Sequence, residues 1–247
     1  MRSIYKNRYN CSPMIEWMFL LAGILELLLV IGAAFYIRKK YGVPWIFLVF
    51  GAIMFVLSLF RIPLNYVVQS SLQGYLFGTA LLVVGVLFPS VTAGIFEEGC
   101  RFLGYKYFFK LEDRNWPNGL MYGAGHGGIE VILLVAANHL LLFVFLSYAP
   151  GILPANVLGE IQALPAYMPL VATLERVFVM CIQIGLSILV LQCFLRGSRK
   201  YLVYAVGLHT AVDFITLLVL EKSIFLAEVT VGIFAAIGLL LILKFRK

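Results

Sequence analysis

Three short stretches hold residue types that do chemistry: Glu97-Glu98-Gly99-Cys100-Arg101, His126-Gly127-Gly128-Ile129-Glu130 and His209-Thr210-Ala211-Val212-Asp213. Carboxylates and imidazoles together activate water, the carboxylate accepting a proton while the ring holds the nucleophile or stabilises developing charge. All three stretches are set in otherwise apolar sequence. A charge at bilayer depth costs about 2.5–3.5 kcal/mol on insertion scales, so such residues must face one another or line a wet cavity. A buried hydrolytic site is therefore the first expectation.

Spacing assigns provisional roles within the set. Glu97 and Glu98 stand four and three residues before Arg101, so either can pair with it along one helix face. Adjacent side chains diverge by about 100° on a helix, which leaves one glutamate outside that pair. His126 and Glu130, and likewise His209 and Asp213, share a face one turn apart. A carboxylate in that position fixes the orientation and tautomer of a histidine ring. Glu97, Glu98, His126 and His209 are thus the catalytic candidates, with Arg101, Glu130 and Asp213 in support.

The elements that position them must be membrane helices. Hydrophobic residues make up 62% of the 247 and charged residues 13%, against about 45–50% and about 25% in soluble domains. Apolar runs near 20 residues long mark seven spans, at 14–37, 44–61, 74–104, 117–147, 169–195, 200–220 and 223–243. The expected fold is an all-α polytopic bundle over 1–247, with a catalytic core at about 74–220. The first run is too long for a signal h-region and has no small-residue cleavage pattern, so it is expected to stay as a helix. Pro89 is expected to kink the third span, and a short interfacial helix is expected around 155–163. The net charge of +7 resides at span ends, which a membrane explains and which argues against a nucleic-acid partner. Twelve Lys and Arg residues fall on one side of the spans. Arg2, Lys6, Arg8, Arg61 and Lys222 fall on the other. That asymmetry predicts the N-terminus outside and the C-terminus inside. The four cysteines show no metal-type spacing and read as free thiols, and Asn10-Cys11-Ser12 is a formal glycosylation sequon.

With that orientation Glu98, His126 and His209 fall eight or nine residues from the inner ends of their spans, on the order of 12–14 Å deep. Three helices bring their ionisable residues to one level. His139 lies about 20 Å beyond His126 along the axis and reads as structural. Glu26, Asn138 and Gln183 read as packing hydrogen bonders, and Glu175 and Arg176, near the outer end of the fifth span, are expected to pair with other groups there.

The ordered set of EExxR, Tyr122-xxx-His126 and HxxxD resembles the superfamily of CAAX proteases and bacteriocin-processing proteins. Within it the chain is most similar to the YhfC-type family, with the PrsW proteases as relatives. The resemblance covers roughly 90–215. It departs from the prenyl proteases, which usually have EExxxR and a final HxxxN. The Leu174–Ser187 stretch is also YhfC-like, with Gln183 where relatives often carry histidine. The resemblance implies hydrolysis of a peptide bond in a membrane-embedded or lipidated peptide, in the cytoplasmic membrane of a bacterium, at a site opening toward the cytoplasmic half. Glu97 or Glu98 would be general base to a water held by His126, with His209 and Asp213 completing the site. Family usage favours the first glutamate. Zinc on His126, His209 and Glu98 is one scheme, and a metal-free glutamate–histidine pair, the expectation adopted here, is the other. A proton- or cation-coupled transporter is an alternative, because intramembrane Glu, His and Asp also build proton relays. No inverted repeat supports it. A non-catalytic immunity or binding protein of the same fold is the third possibility.

Overall fold

A computed structural model describes residues 13–72, 74, 75 and 77–246. The basic N-terminal tail, the sequon with Cys11, and Lys247 lie outside the described residues. Among the described residues the chain is helical and has no strand. Its helices are α1 (Pro13–Tyr41), α2 (Ile46–Ser58), α3 (Arg61–Leu72), α4 (Thr79–Leu82), α5 (Phe88–Tyr107), α6 (Trp116–Val131), α7 (Ala137–Tyr148), α8 (Ala155–Ala163), α9 (Met168–Leu195), α10 (Lys200–Leu220) and α11 (Ile224–Lys244). Wider π turns at Val83–Leu87 and Ile132–Ala136 join α4 to α5 and α6 to α7. Among the described residues, seven helical runs are long and apolar enough to cross a membrane. The chain is an integral membrane protein.

Local sequence sets the ends. Gly42 and Gly197, at φ +69° and +61°, follow α1 and α9 in the left-handed conformation that stops a helix. The Asn115 side chain accepts from the Asn118 backbone N–H at 3.0 Å and caps α6, and Ser223 Oγ accepts from Leu226 N at 3.4 Å and caps α11. The helix expected near 155–163 is α8.

The second and third spans differ from the sequence expectation. The second does not end at Arg61; its helix continues through α3 to Leu72, and the third runs over Thr79–Tyr107. Pro63 falls in the first turn of α3, where its missing N–H costs little. Arg61 is therefore a residue inside a span rather than a loop charge. Asn65, Gln69 and Ser70 gave the stretch the composition of a loop.

The chain forms two compact units. One comprises the chain up to Gly32 with Glu130–Val177, the other Ala33–Ile129 with the chain from Phe178. In the first, Ile15, Phe19, Leu146, Leu158 and Ile161 form a buried cluster. Beside it the buried Glu26 is fully bonded: His139 Nδ1 lies 3.1 Å from one carboxylate oxygen, and Thr173 Oγ1 donates to the other at 3.2 Å. The structural reading of these residues accounts for their burial.

In the second unit, α2 and α6 touch backbone to backbone. A Cβ on Gly51 would stand 2.0 Å from Tyr122 O and 2.8 Å from His126 N, and one on Gly125 would stand 2.0 Å from Leu48 O. Gly94 does the same for α5 against α10, its absent Cβ 2.5 Å from Thr210 Oγ1 and 2.8 Å from Val206 O. Small residues allow this close approach where no hydrophobic force drives helices together. These contacts bring Glu97, His126 and His209 within reach of one another. Gly125→Ala has only backbone to displace, so it is expected to cost about 1–3 kcal/mol, the usual range for overpacking. Thermal unfolding of the detergent-solubilised variant measures it, and an unchanged midpoint contradicts the close-approach role.

Candidate active site

The site lies in the second unit and takes residues from five helices. On α5, Glu97, Glu98 and Arg101 project inward and are buried, with exposures of 2%, 0% and 0%. His126 on α6, Gln183 on α9 and His209 on α10 are buried with them. Arg61 enters from the start of α3. The Phe55 ring on α2 stands edge-on to the His126 ring at 5.2 Å and 83°.

The two glutamates have separate partners, as their divergence on the helix requires. Glu98 Oε1 accepts from Arg101 Nη1 one turn along, and His209 Nδ1 lies 2.7 Å from the same oxygen. Glu97 Oε1 accepts from Arg61 Nη2 at 3.0 Å. Its other oxygen, Oε2, lies 3.4 Å from His126 Nε2 and 3.7 Å from His209 Nε2. Gln183 connects the pairs: its Oε1 accepts from Arg101 Nη2 at 2.5 Å, and its Nε2 donates to Glu97 Oε2 at 3.4 Å. Asp213 Oδ2 stands 3.8 Å from His209 Nε2, and its side chain keeps 33% exposure. Below this layer, Tyr122 Oη donates to Arg101 O at 3.1 Å, and Tyr105 Oη and Ser187 Oγ are 2.7 Å apart.

The structure thus brings Glu97, Glu98, Arg101, His126, His209 and Asp213 into one network. Glu130 is half-buried one turn beyond His126 and belongs to the other compact unit. Two members went unrecognised in the sequence. Arg61 was assigned to a loop; its spacing of four from Asn65 was the available signal. Gln183 was read as packing, although a buried amide in an apolar run needs partners on neighbouring helices, and here they are Arg101 and Glu97. In the first unit Arg176 donates to its neighbour Glu175 rather than to another group.

Glu98 has a different place from the one assigned to it in the zinc scheme. Its bonded oxygen is held by Arg101 and meets His209 at Nδ1. A histidine whose Nδ1–H is held by a carboxylate turns the lone pair of Nε2 outward, the arrangement that orients metal-binding or proton-accepting rings. The Nε2 atoms of both histidines face Glu97 instead.

The donor types suit a zinc ion. Ligands at 2.0–2.2 Å in a tetrahedron stand about 3.3–3.6 Å from one another. His209 Nε2 and Asp213 Oδ2 stand 3.8 Å apart, close to that spacing, and the Nε2 atoms of both histidines converge on Glu97 Oε2 at 3.4 and 3.7 Å. Among the described residues no three such side chains are closed round one point as they stand. His126 Nδ1 and Glu98 Oε2 are buried with no hydrogen-bond partner. Leaving such atoms unsatisfied costs about 1–3 kcal/mol each, so the centre suits a polar ligand.

Residues 25–235 match the model of a family described as the YhfC intramembrane metalloprotease. The chain belongs to the YhfC family. It is 27% identical to the uncharacterised membrane protein YhfC of Bacillus subtilis strain 168, over 92% of this chain and 95% of that one. No solved structure matches the chain. The match includes all the residues of the network, from Arg61 to Asp213.

Arg101 is the cation on which the YhfC-family network is built, so its removal is costly. Arg101→Met leaves Glu98 buried without its cation and is expected to cost about 3–5 kcal/mol, the usual result of breaking a buried pair. Adding Glu98→Gln is expected to recover part of that loss in thermal unfolding. A double variant no more stable than Arg101→Met contradicts the coupling.

Proposed function

We propose that this protein hydrolyses a peptide bond of a membrane-embedded or lipidated peptide, with Glu97 as general base. The observation that carries this reading is the position of Glu97 Oε2, facing the Nε2 atoms of two buried histidines from two other helices at 3.4 and 3.7 Å. The family description supports the same class of chemistry. The protein then works in the cytoplasmic membrane of a bacterium, with its N-terminus outside.

Each residue has a task in that reaction. Arg61 holds Glu97 Oε1 and so aims Oε2 at the two histidine rings. Glu97 Oε2 takes a proton from water as the water oxygen adds to the scissile carbonyl carbon. When the C–N bond breaks, the same oxygen returns the proton to the leaving amine nitrogen. His126 and His209 orient the water, His209 by accepting from it at Nε2. Glu98 keeps His209 turned so that Nε2 meets the water, and Arg101 with Gln183 holds Glu98 and Glu97 apart at their separate tasks. Asp213, exposed by a third, connects His209 to solvent.

An ion of the kind named in the family description would be held by His126, His209 and Asp213, because Arg61 already balances Glu97. Two histidines and a carboxylate with an open position form a hydrolytic zinc set, and bound zinc lowers the pKa of water and polarises a carbonyl.

Two variants separate these roles in purified protein tested on a panel of short fluorogenic peptides. Glu97→Gln is expected to lower turnover at least about 100-fold, the lower end of general-base contributions, while keeping its zinc content by elemental analysis. Asp213→Asn is expected to lose zinc. If Glu97→Gln cleaves at the parent rate, Glu97 is not the base. If turnover falls but zinc is lost with it, Glu97 and Asp213 exchange roles.

A further inference from the structure

Helix α3 is bound to the body of its unit in an unusual way. Asn65 is its buried residue, while Ile62, Leu64, Tyr66 and Val67 are 42–72% exposed. Apolar packing therefore contributes little to its docking. Polar bonds do the work instead, from residues spaced by four along one face. Arg61 donates to Glu97 Oε1 at 3.0 Å, Asn65 Oδ1 accepts from Thr92 Oγ1 at 2.9 Å, and Gln69 Nε2 donates to Val84 O at 3.4 Å.

The helix also has a break at its base. Leu59 N donates to Val56 O, Phe60 N to Leu57 O and Ile62 N to Leu59 O, all three residues back rather than four. Pro63, without an N–H, cannot restore the regular ladder. Such tight turns in mid-span are where helices bend. Opposite the far end of α3 stands the π turn Val83–Leu87, just ahead of Pro89. Between them is a cleft of about 310 Å³ lined by Tyr66, Gln69, Ser70, Leu81, Val84 and Gly85.

The polar ladder runs from this cleft to the general base. We infer that α3 is a gate: the cleft between α3 and the π turn is the lateral entrance for a membrane-embedded peptide, and bending at Leu59–Phe60 opens the ladder that closes it. The occupant is an apolar peptide segment, because exposed aliphatic and aromatic side chains flank a cleft that also offers Gln69, Ser70 and helix carbonyls to an unwound backbone. The inference rests on the peptidase reading above. It adds a coupling: Arg61 is delivered to Glu97 by α3, so the catalytic carboxylate has its cation only when the gate has closed behind the substrate.

A tether across the ladder tests this. Asn65→Cys with Thr92→Cys is joined by oxidation in the full chain, with each single variant as control. Two probes are used: a short soluble peptide that the parent cleaves, and the same sequence within a span of about 20 apolar residues reconstituted in liposomes. The tethered protein is expected to cleave the soluble peptide within twofold of the parent rate and the spanning peptide at least tenfold more slowly, with full recovery on reduction. Equal cleavage of the spanning peptide before and after reduction overturns the gate, as does loss of both activities. Asn65→Ala, which needs no oxidation, is expected to raise the ratio of spanning-peptide to soluble-peptide cleavage about twofold, and an unchanged ratio also overturns the gate. If the parent cleaves no short peptide at all, the peptidase reading fails, and the gate with it.

Discussion

The ion pair between Arg101 and Glu98 is the interaction on which the rest of the site depends. Both side chains are removed from water, and burying a charge is tolerated only with a partner and hydrogen bonds for its remaining valences. Arg101 pairs with Glu98 at Oε1 and reaches Gln183; Glu98 in turn holds His209, and Gln183 reaches Glu97. A single cation thus fixes groups on three helices. The second cation, Arg61, is supplied by the weakly packed α3, so the two glutamates differ in how permanently they are compensated.

In the proposed reaction that difference separates the two carboxylates. Glu98 is held between Arg101 and His209, while Glu97 directs an oxygen toward two Nε2 atoms at 3.4 and 3.7 Å. The buried Glu26 of the first unit offers a contrast. Its two oxygens each have a donor within 3.2 Å, and nothing is left over for chemistry.

Much of this arrangement was legible in the chain because the membrane makes polar residues conspicuous. Seven apolar runs gave seven spans, and the i,i+3 and i,i+4 spacings gave the helix faces that carry Glu98 with Arg101 and His209 with Asp213. What remained hidden involved contacts between helices. Arg61 followed an apolar run and preceded Asn65, Gln69 and Ser70, which imitates a loop; only docking on α5 reveals that those side chains face inward. Gln183 is ambiguous for the same reason, since an amide's partners lie on other helices. The resemblance favoured the first glutamate as base, but periodicity places both near Arg101 and cannot say which histidine nitrogen each meets.

The meeting of Gly51 with Tyr122 O, and of Gly125 with Leu48 O, leaves no space for a side chain at the α2–α6 crossing. Tyr122 and His126 flank that contact on α6, so the crossing also fixes the height of the His126 ring in the bilayer. A relative that acquires a side chain at 51 or 125 must slide one helix along the other, and the imidazole moves with it. These two glycines are therefore expected to diverge together or to stay, and a homologue that has lost one will need compensating changes around Phe55 to restore the ring.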